Sequence, residues 1–259
     1  MTHSLVRVEH VMGMAVSLDL DDDRPVPDLE RLADGVFAWL RTVDEIFSTY
    51  RPESEISRLA RGELRREECA PEVGEVLDRC AELWDETDGY FDINAGGRLD
   101  PSGYVKGWAV QRACDRLLEA GSANHCLNAG GDIFVRGAPL GREKWRVGIR
   151  HPWEAMSVAW VLEVTDTAVA TSGTYERGLH VVDPFTGRPV NDLRSVTVVG
   201  PELGTADAYA TAALAMGRAG IDWLAALPGH ESAVVTESGE ALRSDNLPVA
   251  ANPEASGRR

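Results

Sequence analysis

The feature that most constrains this chain is the order of its hydrophobic periods: helical spacing dominates the first half, and short strand-like runs dominate the second. From Asp28 onward Leu29, Leu32, Ala33, Val36, Phe37, Leu40, Val43 and Phe47 recur at three- and four-residue intervals, with Asp28 suited to the N-cap. A second helix is predicted from Pro71, a residue suited to the N1 position, through Val73, Val76, Leu77, Cys80 and Leu83 to the Asp88-Gly89 turn. A third runs from about Val105 to Ala120 and stops at Gly121. Before them, Ser4 to Leu20 reads as two strands broken near Gly13.

Strands follow at Cys126–Leu127, Ile133–Val135, Trp145–Ile149, Val158–Val164, Ala168–Thr171, Leu179–Val182 and Ser195–Val199. Helices near Thr205–Met216 and Ile221–Leu227 precede a last strand, Ser232–Thr236. Helices in a block followed by strands in a block define an α+β chain, not a βαβ alternation. With 259 residues, 44% of them hydrophobic, the chain can bury a substantial core.

Charge excludes some partners. A formal net charge of -16 disfavours nucleic acid and anionic membranes. Any phosphate-bearing ligand would need a cation or a well-placed Lys beside it. Cys69, Cys80, Cys114 and Cys126 stand apart, without CxxC or ligand-spaced His, and read as reduced thiols. The start MTHSLVRVEH has no apolar signal region, and the expected compartment is the cytoplasm.

Asp207 and Thr211 are four residues apart near a helix start, so both oxygens share one face. Hard oxygens suit magnesium, which keeps few protein ligands and completes its shell with water and phosphate. Taken alone, a dipole-favoured carboxylate with Thr211 packed inside fits at least as well. Asp100 to Gly107 is a Gly-containing turn entering a helix with Lys106, an arrangement that can receive an anion or simply start a helix. The Asn128-Ala-Gly-Gly-Asp132 segment suits a hairpin turn or a close backbone approach to a ligand. Neither a P-loop nor GxGxxG is present. His180 follows the hydroxyl-rich Thr171-Ser-Gly-Thr174 segment and is open to a structural role or to general-base work.

These blocks, in this order, resemble the ApbE family, the FAD:protein FMN transferases. The resemblance runs through Met12-Gly13, Ser48-Thr-Tyr50, Ser54-Glu-Ile-Ser57, Gly89-Tyr-Phe-Asp92, Asp100–Gly107, Asn128–Ile133, Trp145-Arg-Val-Gly148, Ala168–Arg177, His180–Pro184 and Ala206–Thr211. It implies an α+β, T-fold-like architecture with mixed or antiparallel sheets and packed helices, forming one domain over residues 1–248; the polar composition after Pro248 predicts an unstructured tail at 249–259. It also implies FAD as substrate and magnesium as cofactor, with FMN passed to a Ser or Thr hydroxyl of a recipient protein and AMP released.

Carried over by residue, Met12, Tyr50, Tyr90, Phe91, Asp92, Asp100, Lys106 and Val182 would contact FAD. The Gly103 carbonyl, Asp207 and Thr211 would hold magnesium, and His180 would be the general base. The chain departs from the family at Met14, where Thr is usual, at Pro101-Ser102, and in a short Asp92–Asp100 segment. FAD hydrolysis to FMN and AMP, or non-catalytic FAD storage, are the alternative readings. The expected form is a short cytoplasmic one, and the sequence leaves its oligomeric state open.

Overall fold

The computed structural model describes residues 3–154, 156–174 and 181–251. Strands β1 (His3–Val11) and β2 (Met14–Asp22) form a hairpin whose two turn residues, Met12 and Gly13, both take positive φ of 54° and 73°. A two-residue turn of that hand matches the twist of the strands it joins.

Helix α1 (Val26–Phe47) begins before the expected Asp28 cap: Pro25 is the N-cap, and Pro27 occupies an early position where a missing N–H costs nothing. Asp28 lies inside the first turn and pairs with Arg31. The short α2 (Glu55–Ala60) was not expected from periodicity; Ser54 Oγ caps it by accepting from the Ser57 amide at 3.2 Å. Helix α3 (Pro71–Glu86) starts at its proline and stops before Asp88 and Gly89, both left-handed. Helix α4 (Ser102–Glu119) begins three residues earlier than its apolar period suggested, which makes Gly103 helical as well as Lys106.

The second half supplies β3 (His125–Ala129), β4 (Asp132–Arg136), β5 (Trp145–Arg150), β6 (Val158–Val164), β7 (Thr167–Gly173), β8 (Leu193–Gly200), β9 (Glu231–Thr236) and the unanticipated β10 (Ala241–Arg243). Between β8 and β9 lie α5 (Leu203–Met216) and α6 (Ala219–Ala225). Among the described residues, eight strands pair antiparallel in the order β1-β2-β3-β4-β7-β8-β9-β10, and β5-β6 forms a separate hairpin. Part of the expected Leu179–Val182 strand lies outside the described residues; Val182 itself makes an isolated bridge to Pro189.

Alternation along the central strands sorts their side chains into two cores. Phe134, Ala168, Ala170, Val196 and Val198 face the helical layer, whereas Val135, Val169 and Val199 pack with Trp145, Val147, Ile149 and Leu162 of the small hairpin. The chain past Pro248 is held against that hairpin: Val249 bridges Leu162, and the Ala250 amide donates to the Val161 carbonyl at 2.7 Å. Those two residues therefore depart from the expected unstructured tail, and 252–259 lie outside the described residues. No helix among the described residues is long and apolar enough to cross a membrane.

His125 is buried on β3, and burial, with the Arg136 charge adding to it, pushes its pKa down to about 4. The imidazole is therefore neutral in the fold, while the unfolded chain takes up a proton near pH 6.5. Its contribution is intact above that value and is lost as pH falls toward 4, by about 3 kcal/mol at the acid end. Urea melts between pH 7 and 4.5 should show a shallower acid loss in His125→Gln than in the wild type, and parallel curves would refute the assignment.

Candidate functional site

The site forms where the starts of α4 and α5 cross beside β4 and β7. Gly107 makes the crossing possible: a Cβ there would stand 2.6 Å from the Leu203 carbonyl oxygen and 2.7 Å from the Gly204 nitrogen. Gly204 answers from α5, where a Cβ would meet the Tyr104 ring at 2.5 Å. Two helix backbones in near contact bring the neighbouring Lys106 to Asp207.

Helix α5 is buried almost all round, as a helix with apolar residues on every face must be. Asp207 is thus a carboxylate in the interior, 3% exposed. Asp132, the first residue of β4, is fully buried on the same inward face as Phe134. Lys106 Nζ lies 2.5 Å from Asp132 Oδ2 and 3.5 Å from Asp207 Oδ2. The second oxygen of Asp132 accepts the Thr171 amide at 3.0 Å, fixing that carboxylate to β7.

Burial, then the adjacent Asp132 charge, holds Asp207 well above the ordinary carboxylate range, against the opposing pull of Lys106. Both Oδ2 atoms are buried and lie in ionic contact with Lys106, and the two carboxyl groups also face each other. One turn beyond Asp207, Thr211 Oγ1 is 3.1 Å from Ser172 Oγ.

Among the described residues no cluster of three or more His, Cys, Asp or Glu could hold a metal. Magnesium does not require one, because hydroxyl, carbonyl, water and phosphate oxygens fill most of its shell. Under-satisfied oxygen on Asp207, with the Thr211 hydroxyl a turn away, fits such an ion. Gly103 fits less well, since a carbonyl in the first turn of a helix normally accepts the amide four residues on.

The other expected flavin residues are distributed unevenly. Phe91 is buried, its amide donating to Thr87 Oγ1 at 2.9 Å, and its ring edge would stand 3.2 Å from a Cβ on Gly103. Tyr90 is half-buried and meets the Phe185 ring edge-on, with centroids 5.1 Å apart. Asp92 and Asp100 accept local amides, from Asn94 at 2.8 Å and Ser102 at 3.1 Å. These residues form one arc that joins α3 to α4 and ends at Lys106.

Met12 packs partly against the core, in a turn neighbouring Gly130, whose amide donates to the Ala15 carbonyl at 3.3 Å. Val182 stands in its bridge to Pro189. Tyr50 is 87% exposed between α1 and α2. His180 lies outside the described residues. The sequence does not single out Asp132, Thr171 and Ser172 individually, although their segments stand out. The readable signal is strand alternation, which puts the Asp132 carboxylate on the inward face with Phe134.

The ApbE family model matches residues 12–97 and 94–235. The chain belongs to the ApbE family. It is 37% identical over 129 residues to the FAD:protein FMN transferase of Vibrio cholerae, a match covering 46% of this chain and 39% of that protein. Identity is 38% over 138 residues to the Rhodobacter capsulatus protein of the same name, covering 50% of this chain and 26% of the relative. The matched region thus spans well under half the length of these curated relatives.

The fold likeness is broader. The flavin transferase ApbE of Vibrio cholerae superposes with a TM-score of 0.83 at 24% identity, over 95% of this chain and 98% of that one. The ApbE protein of Thermotoga maritima gives 0.82 at 22% identity, over 94% and 97%. These likenesses establish the α+β ApbE fold for this chain.

Proposed function

We propose that this protein transfers the FMN portion of FAD to a Ser or Thr hydroxyl of a recipient protein, with magnesium as cofactor and AMP as the second product. The observation that carries this reading is the pair of buried carboxylates, Asp132 and Asp207, that meets Lys106 beside Thr211, in a chain of the ApbE family. Under-satisfied carboxylate oxygens call for a cation, and Lys106 offers a positive charge to a phosphate. Together they answer the problem of a dinucleotide binding a protein of charge -16.

Asp207 and Thr211, with the Gly103 carbonyl, would hold the ion. When bound, magnesium offsets the pyrophosphate charge and draws electron density from the phosphorus under attack. Tyr90, Phe91 and Asp92 with Met12, Tyr50 and Val182 would receive the flavin dinucleotide, and Asp100 and Lys106 would fix its anionic centre. The recipient hydroxyl forms the new P–O bond, the pyrophosphate P–O bond to AMP breaks, and His180 takes the hydroxyl proton. A positioned base of this kind contributes about 10²- to 10⁴-fold. Four free cysteines accord with a reducing, cytoplasmic setting.

Intact-mass measurement of a co-expressed recipient tests the reading. Its mass should rise by FMN less water, AMP should appear in equal amount, and His180→Ala should slow transfer with little change in FAD affinity. AMP and free FMN with an unmodified recipient would replace the transferase by a pyrophosphatase.

A further inference from the structure

Lys106 and Asp207 pose a conflict that the proposed function does not resolve. A lysine 3.5 Å from a metal-ligating carboxylate competes with the ion for the same oxygen, and in a buried site that competition is strong. Asp132 supplies the resolution. It lies nearer the ammonium, at 2.5 Å, and its other oxygen is tied to the Thr171 amide, so it cannot follow Asp207 if that side chain turns toward a cation. The Lys106 charge therefore has a fixed anchor that is not the metal ligand.

We propose that Asp132 is a positioning residue that holds Lys106 off Asp207, leaving the Asp207 carboxylate available to a divalent cation. The inference rests on the reading of Asp207 as a magnesium ligand. Its physical content is a coupling: the penalty that Lys106 imposes on cation binding depends on whether Asp132 is charged. With Asp132 in place, Lys106 interacts with both carboxylates, the Asp132 one at the shorter distance. Without it, the ammonium is drawn to the Asp207 carboxylate, and a cation must displace it there. An alternative role, Asp132 as a further metal ligand, predicts no such coupling, because loss of a ligand weakens binding whatever occupies position 106.

Manganese binding followed by electron paramagnetic resonance, on the full chain without FAD, reads affinity independently of turnover. Asp132→Asn is expected to weaken manganese binding at least about tenfold, in line with the loss of a supporting partner in a metal site. Adding Lys106→Met to that variant should recover most of the loss, and should tighten binding several-fold more than Lys106→Met does in the wild-type background. Should Asp132→Asn fail to melt cooperatively, Asp132→Ser, which leaves room for water, enters the same cycle.

A double variant as weak as Asp132→Asn overturns the proposal and favours Asp132 as a ligand. Asp132→Asn binding like wild type overturns it as well. A wild-type chain that binds no manganese, while Asp207→Asn behaves identically, removes the magnesium reading and the inference together.

Discussion

Replacing Asp207 by Asn is expected to cut flavin transfer steeply while making the metal-free protein more stable. The two effects share one cause. Asp207 is buried beside a second carboxylate, and both conditions raise its pKa well above the usual range. A folded-state pKa above the unfolded one means that the group favours folding fully at pH below the unfolded value. That contribution is lost as pH rises through the folded value, where the carboxylate must ionise in place. At neutral pH without a cation, Asp207 is thus a strain on the fold, and Asn removes the charge at nearly constant volume.

The variant should be measurably more stable than the wild type in EDTA at neutral pH, because the buried carboxylate no longer has to ionise beside a second one. The gain should grow from about pH 4 upward and vanish at more acid pH. Magnesium should stabilise the wild type and leave Asp207→Asn unmoved, since only a state that binds the ion gains from it. Transfer should fall by roughly 10³-fold, the scale of losing a charge-stabilising group at a reacting centre. Thermal melts in EDTA and in magnesium from pH 4 to 8, beside the intact-mass assay, separate the outcomes. An Asn variant less stable than wild type at pH 8 in EDTA would mean that Lys106 compensates Asp207 fully.

Long elements were legible in the sequence because single residues rarely overturn a sustained period. Helix α1 reads from eight apolar positions, and its start was displaced only because two prolines set the entry. The α4 helix starts before its apolar period because its first turn, Ser102 to Tyr104, carries no repeating apolar stripe; Gly103 packs there against Phe91, a tertiary contact. Asp207 and Thr211 were legible as a pair because helical spacing fixes their common face. Asp132 was not, because its importance comes from Lys106 in another element 26 positions away, and spacing along the chain carries no record of that approach. The separate β5-β6 hairpin was likewise hidden: its strands read correctly, but alternation alone does not say which sheet a strand joins.

Gly107→Ala should destabilise the fold and disable the site, although the same change in an open helix is favourable. Glycine inside a helix costs about 1 kcal/mol relative to alanine, so substitution at an unobstructed position stabilises. Gly35 in α1 is such a position, since a Cβ there would meet nothing within 4 Å, and Gly35→Ala should gain about 0.5–1 kcal/mol. At Gly107 the new methyl would stand 2.6 Å from the Leu203 oxygen and 2.7 Å from the Gly204 nitrogen. Both are backbone atoms and cannot rotate aside, so α4 and α5 must part.

After the propensity gain, a net loss of about 2 kcal/mol is expected, within the range of overpacked cores. The functional loss should be larger in proportion. Lys106 adjoins Gly107 and Asp207 follows Gly204 by three residues, so separating the helices draws the ammonium from the Asp207 carboxylate. A displacement on the order of 1 Å at a reacting centre can cost about 10²-fold in rate. Urea melts and transfer assays on both glycine variants read the two effects apart: Gly35→Ala should gain stability at full activity, and Gly107→Ala should lose both. A Gly107→Ala protein as stable and active as wild type would show that the α4–α5 crossing has slack, and that Lys106 is positioned by something other than the close approach of these two helices.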